Sequence, residues 1–142
     1  MKLAELLKAR DQGLVKIRSD QPVADAAAML SCAKVGALLV EGADGAIVGI
    51  LSERDIVAGM VTHGVALHQV AVAELMTADV IHCSPNDTVN KAMELMTERR
   101  FRHLPVFDGD ELLGLISIGD LVKWRIMEVQ AEAEAMRQYI AT

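Results

Sequence analysis

The segment Gly49-Ile50-Leu51-Ser52-Glu53-Arg54-Asp55-Ile56-Val57 returns as Gly114-Leu115-Ile116-Ser117-Ile118-Gly119-Asp120-Leu121-Val122, 65 positions later. Upstream, Val40 matches Val106, Leu38 matches Leu104, Ala26 matches Ala92 and Val23 matches Val89, all at a spacing of 66. A one-residue loop difference near Ala43 reconciles the two spacings. A duplicated unit that cannot bury its own apolar face does so against its neighbour. The chain is therefore expected to form one pseudo-twofold body with two equivalent clefts, and whatever the repeat does it should do twice.

Each copy reads β-α-β-β-α. In the first, Val15-Lys16-Ile17-Arg18 alternates as a strand, and Pro22 opens a helix with Ala26, Met29, Leu30 and Ala33 on one face. Two apolar runs, 37–40 and 46–51, then flank a turn containing Gly42, Asp44 and Gly45, the signature of a hairpin. A second helix starts at Ser52. In the second copy Ile81 and Cys83 lie on the strand, Asp87-Thr88 introduces the helix bearing Ala92, Leu95 and Met96, and Asp108-Gly109-Asp110 makes the hairpin turn. The expected class is α/β (α+β): an N-terminal helix over 1–14, repeats over 15–60 and 80–123, a small-residue and polar connection over 61–79, and a helical extension over 124–142.

That extension has an apolar stripe. Val122, Ile126, Val129, Ala133, Met136 and Ile140 step by 4, 3, 4, 3 and 4, a heptad-type seam. It either packs on its own module or the N-terminal helix, or joins two copies as a homodimer.

Composition excludes several functions. Fourteen basic residues against 20 acidic ones give a net charge of −6, which opposes a grip on a phosphate backbone, and 3% aromatics leave few platforms for stacking bases. Nucleic acid is not an expected partner. The charged N-terminal helix lacks the uninterrupted apolar run of a signal peptide, and no stretch reaches the roughly 18 apolar residues that span a bilayer. Cys32 and Cys83 both fall in periodic apolar segments, where a reduced thiol acts as a small hydrophobe. A cytoplasmic protein without a disulfide or a membrane partner is expected.

Chemistry centres on the repeated Ser-x-x-Asp. Ser52 and Ser117 sit where a strand passes into a helix, and an acidic residue three positions on makes a capping box. The same set also suits a ribose phosphate. Gly49 and Gly114 allow another group to approach the strand closely, a helix N-terminus attracts an anion, and a carboxylate can accept both protons of a vicinal diol. Since Asp55 and Asp120 would repel a phosphate, the sugar must face them while the phosphate turns to the serine, the helix start and nearby cations. Arg54 serves the first copy. The second has Ile118-Gly119 instead of Glu53-Arg54, but supplies Arg102 and His103 where the first has Gly36 and Ala37, so the two sites are unequal. Arg99 and Arg100 fit a solvated helix end.

With these residues in place, both repeats resemble CBS domains, named after cystathionine β-synthase, and the tandem over 15–122 resembles a Bateman module of the kind found in small stand-alone bacterial CBS-pair proteins. The carrying motif is Gly-hydrophobic-hydrophobic-Ser-x-x-Asp closing each unit, together with Arg102-His103-Leu104-Pro105-Val106. The resemblance implies an adenosine-containing ligand such as AMP, ADP, ATP, NAD or S-adenosylmethionine bound between the paired repeats. It implies Asp55 and Asp120 on ribose hydroxyls, Ser52 and Ser117 beside ribose and phosphate, and Arg54, Arg102 and His103 as phosphate contacts. Val15, Ile17, Ile81 and Cys83 would border adenine, and Pro105 joins the same ligand-binding set. Gly36-Ala37 departs from the pattern and removes a phosphate clamp from the first hairpin.

Catalytic groups are sparse. His63 and His68 are five apart, the wrong interval for one helix face, and His82 and Cys83 point to opposite sides of a strand. Neither metal, catalytic cofactor nor enzymatic activity is expected, and no glycine-rich phosphate loop is present. Two readings remain open: a non-catalytic nucleotide sensor acting on a dimer or protein effector, and a ligand-free interaction module in which both Ser-x-x-Asp motifs only cap helices.

Overall fold

The computed structural model describes residues 1–9 and 14–141. In chain order the elements are α1 (Leu3–Lys8), β1 (Lys16–Arg18), α2 (Val23–Ala33), β2 (Ala37–Glu41), β3 (Ile47–Ser52), α3 (Glu53–His63), a 3-10 turn (Gly64–Gln69), α4 (Val72–Leu75), α5 (Val89–Arg99), β4 (His103–Asp108), β5 (Glu111–Ser117) and α6 (Ile118–Ala141). They fall into two compact units, one spanning Gly13–Val80 and the other combining Met1–Gln12 with Ile81–Thr142. The mixed α+β class expected from the repeat pattern is the class observed.

In the unit Gly13–Val80, β1 runs parallel to β2 with Ile17 opposite Val40, and β2 runs antiparallel to β3 with Val40 opposite Gly49. Alternate strand residues face one side, and here they meet α2 and α4 in a core of Ile17, Ala26, Leu30, Leu38, Val40, Leu51 and Val72. The other unit repeats this set: Cys83, Ala92, Met96, Leu104, Val106, Ile116 and Leu3 are likewise buried together. Of the expected inner face of α2, Ala33 is exposed, because the helix ends there and Lys34 turns into the left-handed region.

Both hairpins carry a bulge at the same place, after Val40 and after Val106. The extra residue of the first copy sits in its turn: Gly42 donates to Ala46 O and Gly45 has φ +82°, whereas Asp108 faces Glu111 across Gly109-Asp110.

One expectation changes. The strand expected at Ile81 and Cys83 is reduced to one parallel bridge, Cys83 to Val106. In the first copy the ladder continues because Leu39 donates its N–H to Val15 O. Pro105 holds the corresponding place and has no N–H to give to Ile81. The small-residue and polar connection after α3 has structure of its own. Leu67 and Val72 are buried in it, Ala71 bridges to Pro22, and Ile50 and Thr77 exchange backbone bonds of 3.0 and 2.9 Å.

The N-terminal helix does for Ile81–Thr142 what that connection does for Gly13–Val80. Leu3 N–H donates to Asp87 O, Ala4 to Pro85 O, and Val89 to Met1 O. The matching bonds run from Val72 to Gln21, Ala73 to Ser19 and Val23 to Val70. Leu3 and Leu6 are thereby buried in a core built from residues 77 to 118 positions away in the chain.

Helix α6 is 24 residues long, about 36 Å at 1.5 Å per residue. Leu121 is buried and Trp124 packs against the same core. The heptad stripe does not pack on its own unit: Val122 is 45% exposed, Ile126 53%, Val129 46%, Met136 60% and Ile140 78%.

Candidate functional site

The Ser-x-x-Asp motifs fold as capping boxes. Ser52 N–H donates to Asp55 Oδ2 at 2.9 Å, Asp55 N–H to Ser52 Oγ at 3.3 Å, and the serine hydroxyl donates to the same carboxylate oxygen at 3.1 Å. Ser117 and Asp120 repeat the two backbone bonds at 2.9 and 3.2 Å. A further backbone bond pins each helix start to the hairpin. Glu53 N–H donates to Gly36 O and Ile118 N–H to Arg102 O, at 3.0 and 2.8 Å. These carbonyls lie beside the candidate residues, and no side-chain pattern could have revealed them.

Hence Arg102 lies directly beside the start of α6, and His103 is paired with Ser117 across the β4–β5 ladder. One end of the unit Ile81–Thr142 brings together an exposed guanidinium, a half-buried imidazole, a hydroxyl and a carboxylate. At the corresponding end of Gly13–Val80, Ala37 faces Ser52, Gly36 supplies only backbone, and the exposed Arg54 is the cation in the first turn of α3. Ser52, Asp55, Ser117 and Asp120 are all half-buried. They keep surface available while forming their caps.

The expected apolar border divides in two. Val15 and Ile81 are half-buried at the margins of their cores, while Ile17 and Cys83 are 2% exposed and Pro105 is buried. Gly49 and Gly114 do admit a close neighbour, and it is the chain itself. A Cβ on Gly49 would meet Met76 and the Thr77 carbonyl, and one on Gly114 would meet Leu7.

Neither cysteine is in a disulfide. Burial pushes the Cys83 thiol up to about 11, with the Asp87 charge adding to the rise and Lys91 opposing it. A thiolate is the nucleophile. An aromatic disulfide reagent at pH 8 is therefore expected to modify exposed Cys32 in the native protein and Cys83 only on unfolding; rapid reaction of Cys83 would show that its core opens readily.

No helix among the described residues is long and apolar enough to cross a membrane. The family model for the CBS domain matches residues 10–62 and again 72–126. The chain is 33% identical over 137 residues to the Arabidopsis thaliana CBS domain-containing protein CBSX3, mitochondrial, covering 94% of this chain and 66% of that protein. It superimposes on the crystal structure of the CBS-domain containing protein ATU1752 from Agrobacterium tumefaciens with a TM-score of 0.84 at 40% identity, covering 87% of this chain and 92% of that one. It also matches the CBS domain protein PAE2072 from Pyrobaculum aerophilum, complexed with AMP. There the TM-score is 0.74 and the identity 25%, over 84% of this chain and 89% of that one. Duplicated motif, duplicated core and matched family model agree that this chain belongs to the CBS domain family and carries the domain as a tandem pair.

Proposed function

We propose that this protein is a non-catalytic regulatory module that binds an adenosine-containing ligand at its repeats, works as a homodimer in the cytoplasm, and passes the signal to a protein effector. AMP, ADP, ATP, NAD and S-adenosylmethionine are the ligands to compare. The observation that carries this reading is the half-buried carboxylate held beside a hydroxyl at the same helix start in both units. A carboxylate offers acceptors to both protons of a ribose diol, and the helix N-terminus with Arg102 or Arg54 offers positive charge to a phosphate. The AMP complex of the Pyrobaculum relative supports the same ligand class. Asp120 lies in the first turn of α6, two residues before the exposed stripe begins. A ligand that favours one placement of that helix over another can therefore bias what the stripe contacts.

One observation favours the second reading, a structural module without ligand: both capping boxes are complete using only the protein's own atoms. Asp55→Asn and Asp120→Asn separate the two. Asparagine keeps a carbonyl oxygen for the serine N–H but replaces the second acceptor with a donor. Each variant is expected to weaken nucleotide binding roughly 10- to 100-fold at its own site, the equivalent of losing a charge-assisted hydrogen bond, with little change in melting temperature. Calorimetry checks the affinity. Saturation at about 100 times the dissociation constant should stabilise the fold by about 2.7 kcal/mol. If none of the five ligands shifts the melt, or both variants lose stability at unchanged affinity, the capping-only reading holds.

A further inference from the structure

We infer that Asp108-Gly109, at the tip of the β4–β5 hairpin, is a site of spontaneous covalent modification, where the aspartate closes on the main chain and reopens as isoaspartate. The site needs neither a bound ligand nor a second copy of the chain. The sequence holds two Asp-Gly pairs, Asp44-Gly45 and Asp108-Gly109, each exposed in a hairpin turn. Glycine favours this chemistry because no side chain screens its amide nitrogen from the neighbouring carboxyl. Space does not rank the pairs, since a Cβ added at either glycine would meet nothing within 4 Å. Their hydrogen bonds do. In the first turn Gly45 N–H donates to Gly42 O at 3.0 Å, and the Asp44 carboxylate accepts from Ala46 N–H at 3.1 Å. Nucleophile and electrophile are both engaged. In the second turn Asp108 faces Glu111 across the loop Gly109-Asp110, with Gly109 at φ +61° and Asp110 at negative φ, the type II′ pattern. Among the described residues neither the Gly109 N–H nor the Asp108 carboxylate has a hydrogen-bond partner.

The reaction balances without a co-reactant. The Gly109 nitrogen attacks Cγ of the protonated Asp108 carboxyl, a carbon–nitrogen bond forms, and the carboxyl hydroxyl takes the amide proton and leaves as water, closing a succinimide ring. Water then adds back. Cleavage of the new bond restores aspartate. Cleavage of the bond from Gly109 nitrogen to the Asp108 main-chain carbonyl carbon gives isoaspartate, whose chain runs through Cβ and Cγ and whose former carbonyl is a free carboxylate. Nothing is oxidised or reduced, and the net charge is unchanged. The chain is then longer by one carbon between Asp108 and Gly109, so the loop that closes Asp108 against Glu111 loses its register. At Asp44 the ring cannot close until both hydrogen bonds of that pair break, which slows it about tenfold or more relative to Asp108.

Protein held folded for weeks at pH 6 in heavy-oxygen water should take up label at Asp108 about ten times faster than at Asp44, because each ring opening inserts one oxygen from solvent. Peptide mass spectrometry reads the label, and electron-transfer fragmentation separates isoaspartate from aspartate at each position. In guanidinium, where neither turn persists, the two pairs should react at nearly the same rate. Asp108→Glu, which would have to close a larger ring, should abolish uptake at that position while circular dichroism and the melting temperature stay native. Label entering at Asp108 counts for ring closure whichever way the ring opens. Its absence from the folded chain, over a period in which the denatured chain reacts, overturns the site. A folded-state ratio no different from that of the denatured chain, or faster uptake at Asp44, overturns the ranking by hydrogen bonds.

Discussion

Leu3→Ala is expected to destabilise the unit containing Ile81–Thr142 by about 2–5 kcal/mol, and the double variant with Leu6→Ala to consume most of the 5–15 kcal/mol that holds a typical domain together. Leu3 is fully buried and Leu6 is 7% exposed, both in the core of Cys83, Ala92, Met96, Leu104, Val106 and Ile116. Truncating them removes apolar burial and leaves a cavity that the surrounding sheet cannot close. The backbone bonds from Leu3 to Asp87 and from Ala4 to Pro85 then lose the packing that excludes water from them. Hydrogen exchange reads the effect by position. Protection at Ala92, Leu104 and Ile116 should fall, while Leu38 and Leu51 keep theirs. Val72→Ala should give the reverse pattern, since Val72 holds the corresponding place in Gly13–Val80. A uniform loss across both cores from Leu3→Ala would mean that α1 does not belong to one unit.

Local signals made much of this fold legible. Apolar runs flanking turns of Gly and Asp located β2, β3, β4 and β5, Thr88 and the two serines marked helix starts, and the two repeat spacings located the longer turn near Ala43. The Ser-x-x-Asp boxes are also local, so sequence alone identified the caps. What stayed hidden depends on distant partners. The docking of α1 is echoed only by Ala4-Glu5-Leu6 and Ala73-Glu74-Leu75, three residues that suit many helices. The shortened strand at Ile81 depends on Pro105, more than twenty residues further on. Alternation placed Ile17 and Cys83 on one face of their strands without revealing that this face is the core. The heptad steps of α6 are visible in sequence, but only the packing of Leu121 and Trp124 shows that the stripe is turned away from its own unit.

The glycines that precede the serines separate a packing role from a ligand role. Gly49→Ala is expected to cost about 1–3 kcal/mol, the usual range for overpacking, and Gly114→Ala less, even though the second has the shorter contact. A Cβ on Gly114 would lie 2.5 Å from Leu7 Cδ2, the movable end of a half-buried side chain. A Cβ on Gly49 would lie 2.8 Å from both Met76 Sδ and the Thr77 carbonyl. That carbonyl accepts from Ile50 N–H at 3.0 Å while Thr77 N–H donates to Ile50 O at 2.9 Å. The segment cannot retreat without stretching both bonds. Leu7→Ala should therefore rescue Gly114→Ala, whereas Met76→Ala should only partly rescue Gly49→Ala because the backbone oxygen remains. For a unit of this size each kcal/mol lowers the melting temperature by roughly 4–8 °C, so the difference is readily measured. If the glycines existed to admit a nucleotide, Gly49→Ala would lower affinity at unchanged stability. With the chain's own Met76 and Thr77 filling that space, stability falls and the folded fraction keeps its affinity at Asp55.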